Sequence, residues 1–183
     1  MYTEKSRNIN LIRIMLYKIN YILLLILIFV LNSCGIYSFK GNNPPEGIKT
    51  VAVPLFNDNS GFAVSGIKES FTDILKNKII SDNTLRLVDK STADAVITCS
   101  ISSIKDDALV IGGAENVTKR KITITVNVIF ENLKKQKKIW DRNYENWGEY
   151  NSSSNSFSER ESGINTARDK ITEDILNDII SNW

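Results

Sequence analysis

An α+β fold is predicted: a two-layer sandwich in which a mostly antiparallel sheet of about four strands carries two helices on one face. Three observations lead there. Two segments repeat their apolar residues every three or four positions, the spacing of a one-faced helix. One segment, Lys121 to Phe130, alternates strictly, with Ile122, Ile124, Val126, Val128 and Phe130 on one side. The chain has 183 residues, 42% of them hydrophobic and 24% charged, which suits one ordinary domain.

The elements follow in order. Ile48 to Phe56 is β-branched and apolar enough for a buried strand, and Pro54 confines it to an edge or a strand end. Asn57-Asp-Asn-Ser-Gly61 terminates it. In residues 65–80, Ile67, Phe71, Ile74, Leu75 and Ile79 form a helical stripe, with Ser65 the expected N-cap. Thr84 to Asp89 reads as a short strand and Ala95 to Ile104 as a longer one, with Ala95, Ile97, Cys99 and Ile101 turned inward. Cys99 is then a small core residue. Lys105 to Thr118 is expected to be a long connection with its own apolar patch, Ala108 to Ile111, before Gly112-Gly113; Asp106 and Asp107 supply turn polarity. That patch reads either as a functional loop or as a short β-extension folded over the core. After the alternating strand, Asn132 to Lys138 is a basic turn, and Ile139 to Trp147 returns as a hairpin with Trp140, Tyr144 and Trp147 available for packing. Ser/Asn-rich Asn151 to Ser158 leads into a last helix with Ile164, Ala167, Ile171, Ile175 and Ile179 on one side.

Composition excludes much chemistry. Histidine is absent, which removes Ser-His-Asp triads, Cys-His pairs and His-ligated metal sites. Cys34 and Cys99 match no metal or redox spacing, so neither metal nor cofactor is expected. Ser102-Ser-Ile-Lys105, a Ser-x-x-Lys of the mature chain, sits on a strand end. No enzyme is expected.

The N-terminus assigns the compartment. Lys5, Arg7, Arg13 and Lys18 precede an 11-residue apolar run, Tyr21 to Leu31. That run is too short for a spanning helix of ~20 residues and right for a secretory signal of about 7–15. Leu31-Asn-Ser-Cys34 resembles the lipobox of bacterial lipoproteins, which implies lipidation of Cys34 and removal of residues 1–33. Gly35 stands where an Asp marks inner-membrane retention in some bacteria, so the resemblance implies outer-membrane residence. Residues 34–47 then form a Gly/Asn/Pro-rich tether, and residues 48–183 the single domain.

The mature chain carries 19 basic and 20 acidic residues, unevenly placed. Residues 119–142 hold eight cations, Lys119, Arg120, Lys121, Lys134, Lys135, Lys137, Lys138 and Arg142, against two acids. Residues 143–183 hold three basic and eight acidic residues. Such a cationic region fits an anionic partner. Nucleic acid does not fit outside the cytoplasm, so lipid phosphate is the expected anion. The other reading is a solvated hairpin whose charges keep a strand edge soluble.

Cys34-Gly-Ile-Tyr-Ser-Phe39, then Lys49-Thr-Val-Ala-Val-Pro-Leu-Phe56, a helix, Leu85 to Asp89 and Ala93 to Ile97, in this order, resemble the LptE family of lipopolysaccharide-assembly lipoproteins, in its Bacteroidetes form. The resemblance covers the mature chain. It implies a non-enzymatic plug in the lumen of the LptD β-barrel that helps insert lipopolysaccharide into the outer leaflet. The eight cations are the candidate lipopolysaccharide contacts from the local charge reading, since no family motif assigns them. Val-Ala-Val-Pro-Leu-Phe alone is also similar to the curli-secretion lipoprotein, and an oligomeric secretion or structural lipoprotein is the alternative.

Overall fold

The computed structural model describes residues 15, 16, 18, 20, 21, 45–111, 117–152 and 156–180. It divides into two compact units, Met1–Lys40 and Gly41–Trp183. In the first, the described residues are helical; among all described residues no helix is long and apolar enough to cross a membrane.

The second unit runs β1 (Thr50–Ala52), β2 (Asn57–Asp58), α1 (Ile67–Asp82), β3 (Arg86–Leu87), β4 (Ala95–Ile111), β5 (Val117–Asn132), β6 (Lys137–Asn151) and α2 (Ser156–Ile180). The six strands form one sheet in the order β3-β1-β4-β5-β6, with β2 also on β4. This corrects the expectation of about four mostly antiparallel strands: β1 pairs in parallel with β3 and β4, and β2 in parallel with β4. The cause is α1, because a helical connection carries the chain back to start β3 in the same direction as β1. Only the β4-β5-β6 meander is antiparallel.

Pro54 limits the first strand, as expected, and splits it: pairing stops after Ala52 and resumes at Asn57–Asp58, where the sequence suggested a terminator. Between them, the Phe56 N–H donates to Thr72 Oγ1 at 3.0 Å, and the Phe56 ring meets Phe71 at 5.4 Å. Helix α1 buries Ile67, Phe71, Thr72, Leu75 and Ile79. Its N-cap is Gly66 in a left-handed conformation (φ 71°), with no side-chain cap bond, so Ser65 does not cap.

The larger departure lies after Ile104. The expected connection 105–118 is strand in its described part: β4 continues to Ile111 and β5 starts at Val117, which makes Ala108 to Ile111 an extension of the sheet. A bulge between Ile101 and Ser103 puts Ile101 and Ile104, three apart, both inside and breaks the alternation that would have announced the strand. Gly112 and Gly113 lie outside the described residues. At the other end, Asn151 closes β6 and α2 starts at Ser156, earlier than the Ser/Asn content suggested.

The core lies between the sheet and both helices, with Ile97, Ile101, Ile122, Ile124, Phe130, Ile171, Ile175 and Ile179 fully enclosed. The alternating face of β5 is buried as expected, and Cys99 with it, where burial pushes the thiol well above its ordinary pKa. Trp140 and Tyr144 are buried; Trp147 is 42% exposed.

Helix α2 runs against β6 with no side chain between them at one point. A Cβ on Gly148 would stand 2.1 Å from the Gly163 carbonyl oxygen, while one on Gly163 meets its neighbours at 3.4 Å or more. Gly148→Ala is therefore expected to cost about 1–3 kcal/mol by overpacking, whereas Gly163→Ala, which gains helix propensity, is close to neutral. Urea unfolding of the two variants measures the difference.

Candidate anion-binding surfaces of the hairpin

All eight predicted cations lie on β5, β6 or the turn between them, and the fold separates them. Lys121 and Asn132 are eleven residues apart along β5, about 36 Å at ~3.3 Å per residue. Lys119, Arg120 and Lys121 therefore sit at one end of the meander and Lys134 to Lys138 at the other. One stretch of sequence becomes two surfaces.

At the far end the cations are held. Lys119 pairs with Glu149 at 3.6 Å. Arg120 faces the helices, and its Nε donates to Asp106 Oδ1 at 2.7 Å and to the Tyr150 hydroxyl at 3.0 Å. Asp106 is thus the counter-ion of Arg120 rather than turn polarity, and Asp107 is exposed. The hydrogen bond to Asp106 raises the Arg120 pKa, and burial with the same carboxylate raises that of Tyr150. Lys121 stands 5.8 Å from the Trp147 ring centroid, with Lys170 at 4.7 Å from the same ring. On the middle of β6, Arg142 pairs with Asp178 of α2 at 2.7 Å, and the Tyr144 hydroxyl donates to the same carboxylate oxygen at 2.7 Å.

The turn is built differently. Asn132, which is buried, accepts the Lys135 N–H on its side-chain oxygen at 2.8 Å, and Gln136 takes the left-handed conformation that closes the turn (φ 48°). Lys138 pairs with Asp141 at 2.8 Å, and that hydrogen bond raises the lysine pKa and lowers the aspartate's. Lys134 reaches Asp94 at 2.5 Å. Among the described residues, Lys135 and Lys137 have no acidic partner within ion-pair distance.

In the sequence Asp94 stands out only as part of the Ala93 to Ile97 segment of the family resemblance. It accepts the backbone N–H groups of Lys49 and Thr50, both at 2.9 Å; its own N–H donates to Thr50 Oγ1 at 2.9 Å. Its carbonyl accepts from Leu133 N–H at 2.9 Å. One residue ties β1, β4 and the β5–β6 turn together. The Lys134 ammonium first, then the Lys49 amide, hold its carboxyl far below the usual carboxylate range.

Ser102 Oγ donates to the Thr125 carbonyl at 3.1 Å. Among the described residues no three His, Cys, Asp or Glu side chains come together as metal ligands. Cys34 lies outside the described residues.

The model of the lipopolysaccharide-assembly family LptE matches residues 48–179. The chain belongs to the LptE family. Within this LptE-family chain the match spans every strand and nearly all of α2, and the family is a non-enzymatic one that works in lipopolysaccharide assembly. No curated protein matches it in sequence. Its fold is similar to that of the hypothetical protein CT253 from Chlamydia trachomatis (12% identity, 72% of this chain and 95% of that one, TM-score 0.54). It is also similar to a minor lipoprotein from Acinetobacter baumannii (12% identity, 72% and 92%, TM-score 0.50), and to PelC from Paraburkholderia phytofirmans, solved as a dodecamer (12% identity, 77% and 95%, TM-score 0.50). At such identities these likenesses describe the fold alone.

Asp94→Ala leaves the partly buried N–H groups of Lys49 and Thr50 without their acceptor, so a loss of about 1–3 kcal/mol in urea unfolding is expected. Because the folded pKa of Asp94 lies below the unfolded value of about 3.9, its contribution is present above that pH and lost as the pH falls further. Asp94→Asn flattens the acid limb of the stability profile, and an unchanged limb would show the carboxylate to be uncoupled.

Proposed function

We propose that this chain is a lipid-anchored outer-membrane protein that partners an LptD-type β-barrel, and that the turn at 133–138 engages the phosphates of lipopolysaccharide. The family match over residues 48–179 carries the assembly role. Lipidation of Cys34, after removal of residues 1–33, would attach the domain through the 34–47 tether to the periplasmic side of the outer membrane or within the barrel lumen. More than one acyl chain is needed for stable attachment, and a lipidated N-terminal cysteine supplies them.

Two features support this reading. The sheet face turned away from the helices is polar over most of its length, with Thr123, Thr125 and Asn127 on β5 opposite Trp147, Glu145 and Asn143 on β6. Such a face suits the polar interior of a barrel. Lys135 and Lys137, without an acidic partner among the described residues, lie at the hairpin tip, where flexible ammonium groups meet a mobile phosphate well. Lys138 is a weaker contributor, being shared with Asp141, and Lys134 is chiefly a structural cation. Lys119, Arg120, Lys121 and Arg142 form a secondary surface at most, since each is already engaged.

A mild-detergent pull-down of the tagged full chain from its own outer membrane tests the partnership: a stoichiometric large barrel is expected, and recovery alone or as a ring of itself would favour the oligomeric secretion alternative. For the site, Lys135→Glu with Lys137→Glu is expected to weaken lipopolysaccharide binding at least tenfold, since charge-assisted hydrogen bonds contribute ~1.5–3 kcal/mol, without changing thermal unfolding. Lys134→Glu is expected to lower stability through Asp94. Equal lipopolysaccharide binding by the double variant would sink the tip assignment.

A further inference from the structure

A cavity of about 430 Å³ opens between the first turns of α1 and α2, away from the hairpin tip, and its size is within the ~300–1,000 Å³ of small-molecule sites. One wall is the loop from Ala63 to Ile67; the other is a continuous stripe of α2 bearing Phe157, Arg160, Ile164 and Arg168. The lining is mainly apolar, and Phe157 stands 74% exposed at its rim.

Beside Ser65, Ser70, Glu161 and Asn165, the polar lining contains two guanidinium groups, those of Arg160 and Arg168. Arg168 donates through one terminal nitrogen to Ser70 Oγ across the helix pair. Its Nε is buried with no hydrogen-bond partner; the nearest carboxylate oxygen, Asp169 Oδ1, stands 3.8 Å away, beyond hydrogen-bond reach. Burial depresses its pKa, and Asp169 and Glu161 offset only part of that. Arg160 lies over the Phe62 ring at 5.4 Å to the centroid. Glu161 is the acid in the lining, which leaves the pocket a net cation. Arg160 and Arg168 both line the cavity, and they are the cations it offers an anionic ligand.

We infer that this cavity binds a single-chain anionic amphiphile, its carboxylate or phosphate head on Arg168 and Arg160 and its alkyl chain against Ile67, Ile164 and Phe157. The head pairs with the two guanidinium groups, and the chain covers the exposed ring. This site is separate from the lysine tip and does not depend on the assignment made there.

The test uses the full chain in phosphatidylcholine nanodiscs, labelled with a photoreactive dodecyl phosphate that carries a diazirine in its chain, and mapped by peptide mass. Label is expected in the peptides around Phe62–Ser70 and Phe157–Ile164. Unlabelled dodecyl phosphate and laurate compete, and their ratio separates a phosphate site from a carboxylate site. Neutral dodecyl maltoside does not compete, and inorganic phosphate alone does not either. Arg168→Gln reduces labelling at least tenfold with Arg168→Lys intermediate; should Arg168→Gln shift thermal unfolding, Arg160→Gln at the rim gives the same reading. Lys135→Gln leaves labelling unchanged. Equal competition by the maltoside would show a mere apolar surface, and equal competition by inorganic phosphate a mere anion site. Either result, or undiminished labelling in a folded arginine variant, overturns the inference.

Discussion

The close approach of two backbones at Gly148 and Gly163 sets the rest of the structure. With no side chain between them, α2 settles directly on the outermost strand of the meander and runs along it. From there its acidic side meets β6 in register: Asp174 accepts from Asn146 at 3.1 Å, and Asp178 from both Arg142 and Tyr144. The same placement brings the apolar stripe of α2, Ala167, Ile171, Ile175 and Ile179, over the buried face of β5. A larger residue at Gly148 would lift the helix and loosen the polar row and the core together.

Charge follows from that geometry. A basic stretch and an acidic stretch that look like opposite poles along the chain are, in three dimensions, in part each other's partners, Lys119 with Glu149 and Arg142 with Asp178, while Arg120, Lys134 and Lys138 pair with Asp106, Asp94 and Asp141. What survives neutralisation is small and local. Among the described residues, Lys135 and Lys137 remain unpaired at a tip whose shape is held by Asp94 and Asn132, and Arg168 keeps a buried donor unmatched at the opposite helix ends. Exposed pairs contribute little stability, so the importance of the pairing lies in deciding which cations remain available to an anionic partner.

Strict alternation from Ile122 to Phe130 was legible because both neighbours of β5 pair with it along its length, leaving one face to the core and the other to polar contacts. The helical stripe of α1 was equally plain. Beyond Ile104 the signal failed, since the bulge at Ser102 shifts the phase and the following residues, Asp106 and Asp107, look like a turn. Asp106 is stable in a strand only because Arg120, fourteen residues away, comes opposite its face. Of the candidate contacts, residue type and clustering were visible in the chain, but their partners were not: Asp94 lies 40 residues from Lys134.

Sequence alone determined the class of fold, the inward residues of α1, α2 and β5, the absence of histidine chemistry and the family resemblance, because these rest on local periodicity, composition and short ordered motifs. Tertiary structure alone decided the parallel pairing of β1, the length of β4, the separation of eight cations into two surfaces, and which of them stay free. Those outcomes depend on groups brought together from distant positions, and no local pattern records the distance between them.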